Sequence, residues 1–162
     1  MGSTYVGVRF VMKYLFLIML FNSHYAMAES ATAQALMEVI KPLQIQTLSN
    51  LVFPQATTGA SAFTISPGDS DNENNASFSA SGEPDTSYVI SHPDTVVMTT
   101  GTGSENETIT ISSIQTNPSK GANGLFDASG TQMIYLGASR PSLSPDQVQG
   151  EYQGQITVEI VY

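Results

Sequence analysis

The segment Gln155–Tyr162 alternates strictly. Ile156, Val158, Ile160 and Tyr162 are apolar or aromatic, and Gln155, Thr157 and Glu159 between them are polar. A period of two sends successive side chains to opposite faces of an extended chain, so this stretch reads as a β-strand with one buried face. A strand must satisfy its main chain against a neighbour, or it presents an open edge to other molecules. The partner is therefore either internal or another chain, and that choice bounds what the molecule is built to do.

The same pattern recurs upstream. Ala62–Ser66 alternates and stops at Pro67 and Gly68; Ala76–Ala80 stops at Ser81 and Gly82; Ser87–Ser91 stops at His92 and Pro93. Thr95–Thr99 ends before Gly101, and Thr131–Leu136 ends at Gly137. Leu43–Thr47 and Asn50–Phe53 are extended candidates beside Pro42 and Pro54. In Glu107–Ile114 the alternation holds through Ile111 and slips by one at Ile114, which predicts a bulge. About nine or ten short strands between turn signals predict an all-β chain, an antiparallel β-sandwich. The one helical candidate is Ala31–Ile40, whose alanines favour a helix. Yet Ala31, Ala33, Ala35, Met37 and Val39 fall on alternate positions, so the segment reads more readily as a strand in an otherwise β chain.

Met12–Phe21 is a short apolar run behind Lys13, followed by Asn22, Ser23 and His24 and then by Ala26-Met27-Ala28. A basic start, a short apolar stretch and an A-x-A site are the parts of a secretory signal peptide, with cleavage expected between Ala28 and Glu29. The run is about half the ~20 residues that a membrane span requires. Met12-Lys13 opens a compact signal of its own, which makes Met12 a second candidate for the start of translation. We expect residues 29–162 to form a single domain outside the cytoplasm, periplasmic or at the cell surface.

All 14 acidic residues lie at or beyond Glu29, whereas Arg9 and Lys13 leave with the signal, so only Lys41, Lys120 and Arg140 stay positive. A chain this acidic has no basic patch for nucleic acid or anionic lipid. It has no cysteine, so thiol catalysis, thiolate metal ligation and disulfide bracing are excluded.

Candidate chemistry is sparse. His92 is the only histidine beyond Ala28 and sits in a turn before Pro93; a lone turn histidine has no ligand set and no catalytic partner. No Gly-x-Ser-x-Gly elbow or Ser-x-x-Lys pair occurs, and Ser139 lies beside Arg140 without a base. Asp69, Asp71, Glu73 and Asn75 have the alternate spacing of the first ligands of a calcium loop, but Asn74 and Ala80 stand where that loop needs Gly and Glu. The stretch reads as a solvated loop tip. Gly101–Asn106 lacks the lysine and the following helix of a phosphate loop and reads as a turn. We expect no catalytic residue, no metal and no cofactor.

Several blocks in order resemble a family of bacterial secreted β proteins, domain-of-unknown-function family 4402. They are Val39–Ile45 with Leu51–Phe53, then Phe78–Pro84 with Tyr88–Ile90, then Leu136 and Gly137, and last Gly150, Tyr152 and Gly154 leading to Val158 and Tyr162. More remotely, the chain resembles subunits of chaperone–usher surface fibres. That resemblance implies an immunoglobulin-like, pilin-like sandwich whose missing strand is supplied by the N-terminal extension of a neighbour. It makes Ala31, Ala33, Ala35, Met37 and Val39 the candidate donor segment. Gly150, Tyr152, Gly154, Ile156, Val158, Ile160 and Tyr162 become the candidate terminal edge. The partners it implies are other protein chains: further copies, or a periplasmic chaperone. A self-contained sandwich in which Gln34–Gln46 is the first strand fits the same residues. So does a monomeric secreted module that binds glycan or calcium through its loops.

Overall fold

The computed structural model describes residues 29–162. The signal peptide, its cleavage after Ala28 and the start at Met12 fall outside the described residues. Nine strands lie among the described residues: β1 (Gln44–Ser49), β2 (Phe63–Ile65), β3 (Ala76–Ser81), β4 (Ser87–Ser91), β5 (Val96–Thr99), β6 (Thr108–Asn117), β7 (Gly121–Leu125), β8 (Thr131–Arg140) and β9 (Glu159–Val161). Every pairing is antiparallel. A six-stranded sheet runs β1-β3-β8-β6-β5, with β2 also paired to β8, and a three-stranded sheet runs β7-β4-β9. The chain is an all-β sandwich.

Strand β8 organises the larger sheet. Its first half pairs with β3, Ala76 opposite Leu136, and its last residues pair with β2, Phe63 opposite Arg140. Along its other side runs β6. Alternate residues Ile134, Leu136 and Ala138 point into the core, and Ile134 and Leu136 have no exposed surface. Burying each of these two larger side chains is worth about 1.5–3 kcal/mol. From the smaller sheet Tyr88 and Ile90 of β4 meet them, joined by Phe126 just after β7. The Tyr88 and Phe126 rings stack with centroids 4.4 Å apart, an arrangement that adds to area burial alone. Tyr88 places its hydroxyl where it donates to Gln132 Oε1 at 2.7 Å, so a buried phenol keeps a partner.

The bulge expected at Ile114 is present. The β6–β8 register shifts between Ser112 and Gln115, and Ser113 has a φ of 51°. That extra residue returns Ile114 to the core face already used by Ile109 and Ile111.

Elsewhere the chain departs from the pattern. Strand β8 runs through Gly137 to Arg140 instead of stopping at Leu136, because the missing side chain at Gly137 lets the main chain of Ile65 and Ser66 lie against it. Strand β7 carries almost no alternation, and its sequence Gly-Ala-Asn-Gly-Leu gives no strand signal. Asn50–Phe53 is not a strand; Leu51 and Phe53 pack half-buried on the core from a loop. The terminal strand is three residues long, Glu159–Val161, instead of spanning Gln155–Tyr162. The segment Ala31–Val39 forms neither strand nor helix: it has no ladder partner, and its side chains are exposed. The compact unit that holds all nine strands begins at Val39.

Candidate assembly edge

The C-terminal segment leaves the larger sheet at one edge and finishes at the other. Gln153 exchanges two main-chain hydrogen bonds with Thr99 of β5, 2.9 and 3.0 Å long. Gly154 then passes so close to β5 that a Cβ there would lie 3.0 Å from the carbonyl oxygen of Val97, a tight approach that favours glycine. Ile156, Val158 and Ile160 pack against the core on alternate positions. Strand β9 pairs with β4, Val89 opposite Val161 and Ser91 opposite Glu159. Tyr162 finally reaches the residues that lead into β1. Its hydroxyl donates to the carbonyl of Lys41 at 2.6 Å and accepts from the amide of Glu83 at 2.8 Å. Glu83 Oε2 in turn accepts from the Lys41 amide at 2.8 Å. Since β5 and β1 are opposite edges of the larger sheet, residues 153–162 form a strap across its core face.

The other candidate residues of this segment anchor the start of the strap. Gly150 lies against Thr100. The Tyr152 hydroxyl accepts from Gln147 Nε2 at 2.8 Å and lies 2.6 Å from the Val148 carbonyl oxygen, to which it donates. Gln147 Nε2 also reaches the carbonyl of Asn106, in the 3₁₀ turn Glu105–Glu107 before β6. The structure thus brings Gly154, Ile156, Val158, Ile160 and Tyr162 onto one strap, with Gly150 and Tyr152 in the turn that leads into it. Lys41, Glu83 and Thr99 fall in segments that the sequence singles out, but nothing in the sequence marks them as the groups that receive the strap. Their contribution is largely main-chain, so their side-chain types carry no signal.

Between the Thr99 bridge and β9, residues Gly154–Val158 make no main-chain hydrogen bond to any described residue. Ile156 and Val158 remain half-exposed there, as do Leu43 and Ile45 at the β1 edge. No charge and no proline lies between Glu151 and Glu159. Those are the devices by which an edge is normally protected from pairing, and they are missing here. Ser30–Met37 is likewise free of charge, and it carries Leu36 and Met37 at 89 and 87 % exposure, with Val39 beyond it at 80 %.

The remaining candidates are organised internally. His92 is buried, with Nδ1 2.9 Å from the Pro93 carbonyl, to which it donates, and Nε2 has no partner among the described residues. The loop Gly68–Asn75 is not wholly solvated. Asn75 is 1 % exposed, and its Nδ2 donates to the carbonyls of Pro67 (2.6 Å) and Ser70 (3.0 Å). In the Gly101–Asn106 turn the Glu107 carboxylate closes the loop by accepting from the Thr102 hydroxyl (2.8 Å) and amide (2.9 Å). The Thr102 hydroxyl, followed by the Ser104 amide, holds that carboxyl below its ordinary range. Among the described residues no three His, Asp or Glu side chains converge as metal ligands, and no helix is long and apolar enough to cross a membrane.

These features define an all-β sandwich with a strap-like terminal segment. Residues 51–162 match the family model described as Domain of unknown function (DUF4402), and the chain belongs to that family. The matched region takes in eight of the nine strands and the whole strap. Comparison with curated proteins and with solved structures gives no match.

Proposed function

We propose that this chain is a non-enzymatic structural subunit of the bacterial cell surface, exported and pilin-like, that assembles through β-strand edges. The observation that carries the reading is the uncharged main chain of Gly154–Val158, which lacks a hydrogen-bonding partner among the described residues, beside half-exposed Ile156 and Val158. An added strand would satisfy those amides and carbonyls and cover the apolar side chains, the mode of recognition known as β-augmentation. The proposed occupant is the segment Ala31–Val39 of a second copy. It is extended in length, free of charge up to Met37, and exposes apolar side chains that need cover. Met37 and Val39 contribute about 1.5–3 kcal/mol each if fully buried. The three alanines add little, so main-chain pairing supplies much of the affinity.

The test is a deletion of Glu29–Val39. Sedimentation and SDS-resistant ladders should show oligomers in the intact mature chain and monomers in the deletion variant, with the circular dichroism of the body unchanged. A deletion variant that still assembles rules the proposal out.

A further inference from the structure

A second surface lies away from the strap. Strand β2 and the loop Gly68–Asn75 enclose a solvent-facing depression of about 450 Å³, within the size range of small-molecule sites, about 300–1,000 Å³. Its wall includes Phe63, a residue 40 % exposed although its strand neighbour Ile65 is buried. Asn72, Glu73 and Asn74 line the same depression. The Asn74 side-chain amide, Asn72 Nδ2 and the Glu73 carboxylate have no hydrogen-bond partner among the described residues, whereas Asn72 Oδ1 is engaged by the amides of Asn74 and Asn75 at 2.8 Å each.

The loop that presents these groups is held from behind. Buried Asn75 ties Pro67 and Ser70 together, its Oδ1 accepts from the Asn72 amide at 3.0 Å, and Asn117 Nδ2 donates to the Gly68 carbonyl at 2.6 Å. The Asn74 carbonyl is fixed by the Val52 amide. A frame set in advance lowers the ordering cost of binding.

We infer that this depression is a binding site for a neutral saccharide, with Phe63 as its stacking platform. An exposed aromatic ring beside unpaired amide donors and acceptors matches the two kinds of surface on a pyranose: a C–H face that packs on a ring, and a rim of hydroxyls that both donate and accept. Charge narrows the ligand further. Glu73 has no cation within ion-pair reach, since the single salt bridge among the described residues is Lys120–Asp94. Phosphorylated, sulfated and uronic sugars would bring a like charge beside that carboxylate, with no protein cation to offset it. The site is independent of strand-edge assembly, because no residue of the strap lines it.

The full chain, labelled with ¹⁵N and ¹³C, is titrated with lactose, maltose, cellobiose and N,N′-diacetylchitobiose, and in parallel with sialyllactose. At least one neutral disaccharide should give saturable shifts of the Phe63 ring and of the Asn72 and Asn74 side-chain amides. Phe63→Ala should weaken that binding about tenfold or more, a loss of ~1.4 kcal/mol, while Phe63→Tyr retains it; both variants should keep the remaining spectrum. The inference is overturned if no neutral disaccharide gives saturable shifts at these residues. It is equally overturned if Phe63→Ala binds as tightly as the parent, or if only sialyllactose binds.

Discussion

The hydroxyl of Tyr162 donates a 2.6 Å hydrogen bond to the carbonyl of Lys41, and that bond closes the molecule. One oxygen bridges the entry to β1 and, through the Glu83 amide, the turn between β3 and β4. Tyr162→Phe removes that oxygen and leaves the ring in place. Stability should fall by about 0.5–1.5 kcal/mol, read as a lower urea midpoint with an unchanged slope. Amide exchange at Glu83 should speed up more than exchange in β8.

Gly82 lies under the same closure. A Cβ at this position would stand 2.8 Å from the Tyr162 hydroxyl oxygen and 2.9 Å from Leu43 Cδ2, with Phe126 closer still. Overpacking of this kind costs about 1–3 kcal/mol. Gly82→Ala should therefore destabilise more than an alanine placed at an exposed turn, measured by thermal unfolding. Combining it with Tyr162→Phe should show non-additivity, because the two changes share a contact.

Burial pushes the Tyr88 phenol up to about 12 from an ordinary 10.0. A raised acid pKa means that the folded state favours the neutral phenol. Its contribution is intact below pH 10 and is lost as pH climbs from there towards about 12. Spectrophotometric titration should show a late-ionising tyrosine that disappears in Tyr88→Phe. The same variant should remove this part of the alkaline loss of stability.

Asp127 shows the opposite case. Its Oδ1 accepts from the Ser129 hydroxyl (2.6 Å) and from the amides of Ser129 and Thr131 (2.9 Å each). The Ser129 hydroxyl, followed by the Thr131 amide, lowers the carboxyl to about 2 from 3.8. A depressed pKa gives stability that is present above 3.8 and lost as pH falls towards about 2. NMR titration of the Asp127 carboxyl should place its midpoint at about 2, well below the ordinary 3.8. Asp127→Ala should flatten the acid limb of the stability curve.

How much of this was legible in the sequence depends on which interaction held each element. Where alternation met a turn residue, as in Ser87–Ser91, the strand bounds read from sequence match those of the structure. The slip at Ile114 betrayed the bulge, because a phase change in burial leaves its mark on side-chain type. Gly137 misled for a physical reason: a glycine that breaks a strand and a glycine that lets two strands approach look the same in one dimension. Strand β7 was invisible because its pairing with β4 rests on main-chain bonds. The strap was half legible. Its alternation marked Ile156, Val158 and Ile160 as core-facing, but nothing marked Lys41 and Glu83 as the groups that receive Tyr162. Phe63 and Asn72–Asn74 lie too far apart in sequence for their shared depression to be read without coordinates.

The strap also sets a clock. The bond between Lys41 and Tyr162 spans 121 residues, and the loop it closes must be ordered before the contact gives anything back. A ribosome delivers Ile156, Val158 and Ile160 after every strand whose apolar face they cover. Until then Tyr88, Ile90 and Phe126 cover only part of that core, and the apolar residues beside Leu43 and Ile45 still lack Ile156, Val158 and Ile160. Completion of this fold therefore waits on the strap, and a chain in which β8 is placed but Tyr162 has not yet reached Lys41 is the form most open to capture by another protein.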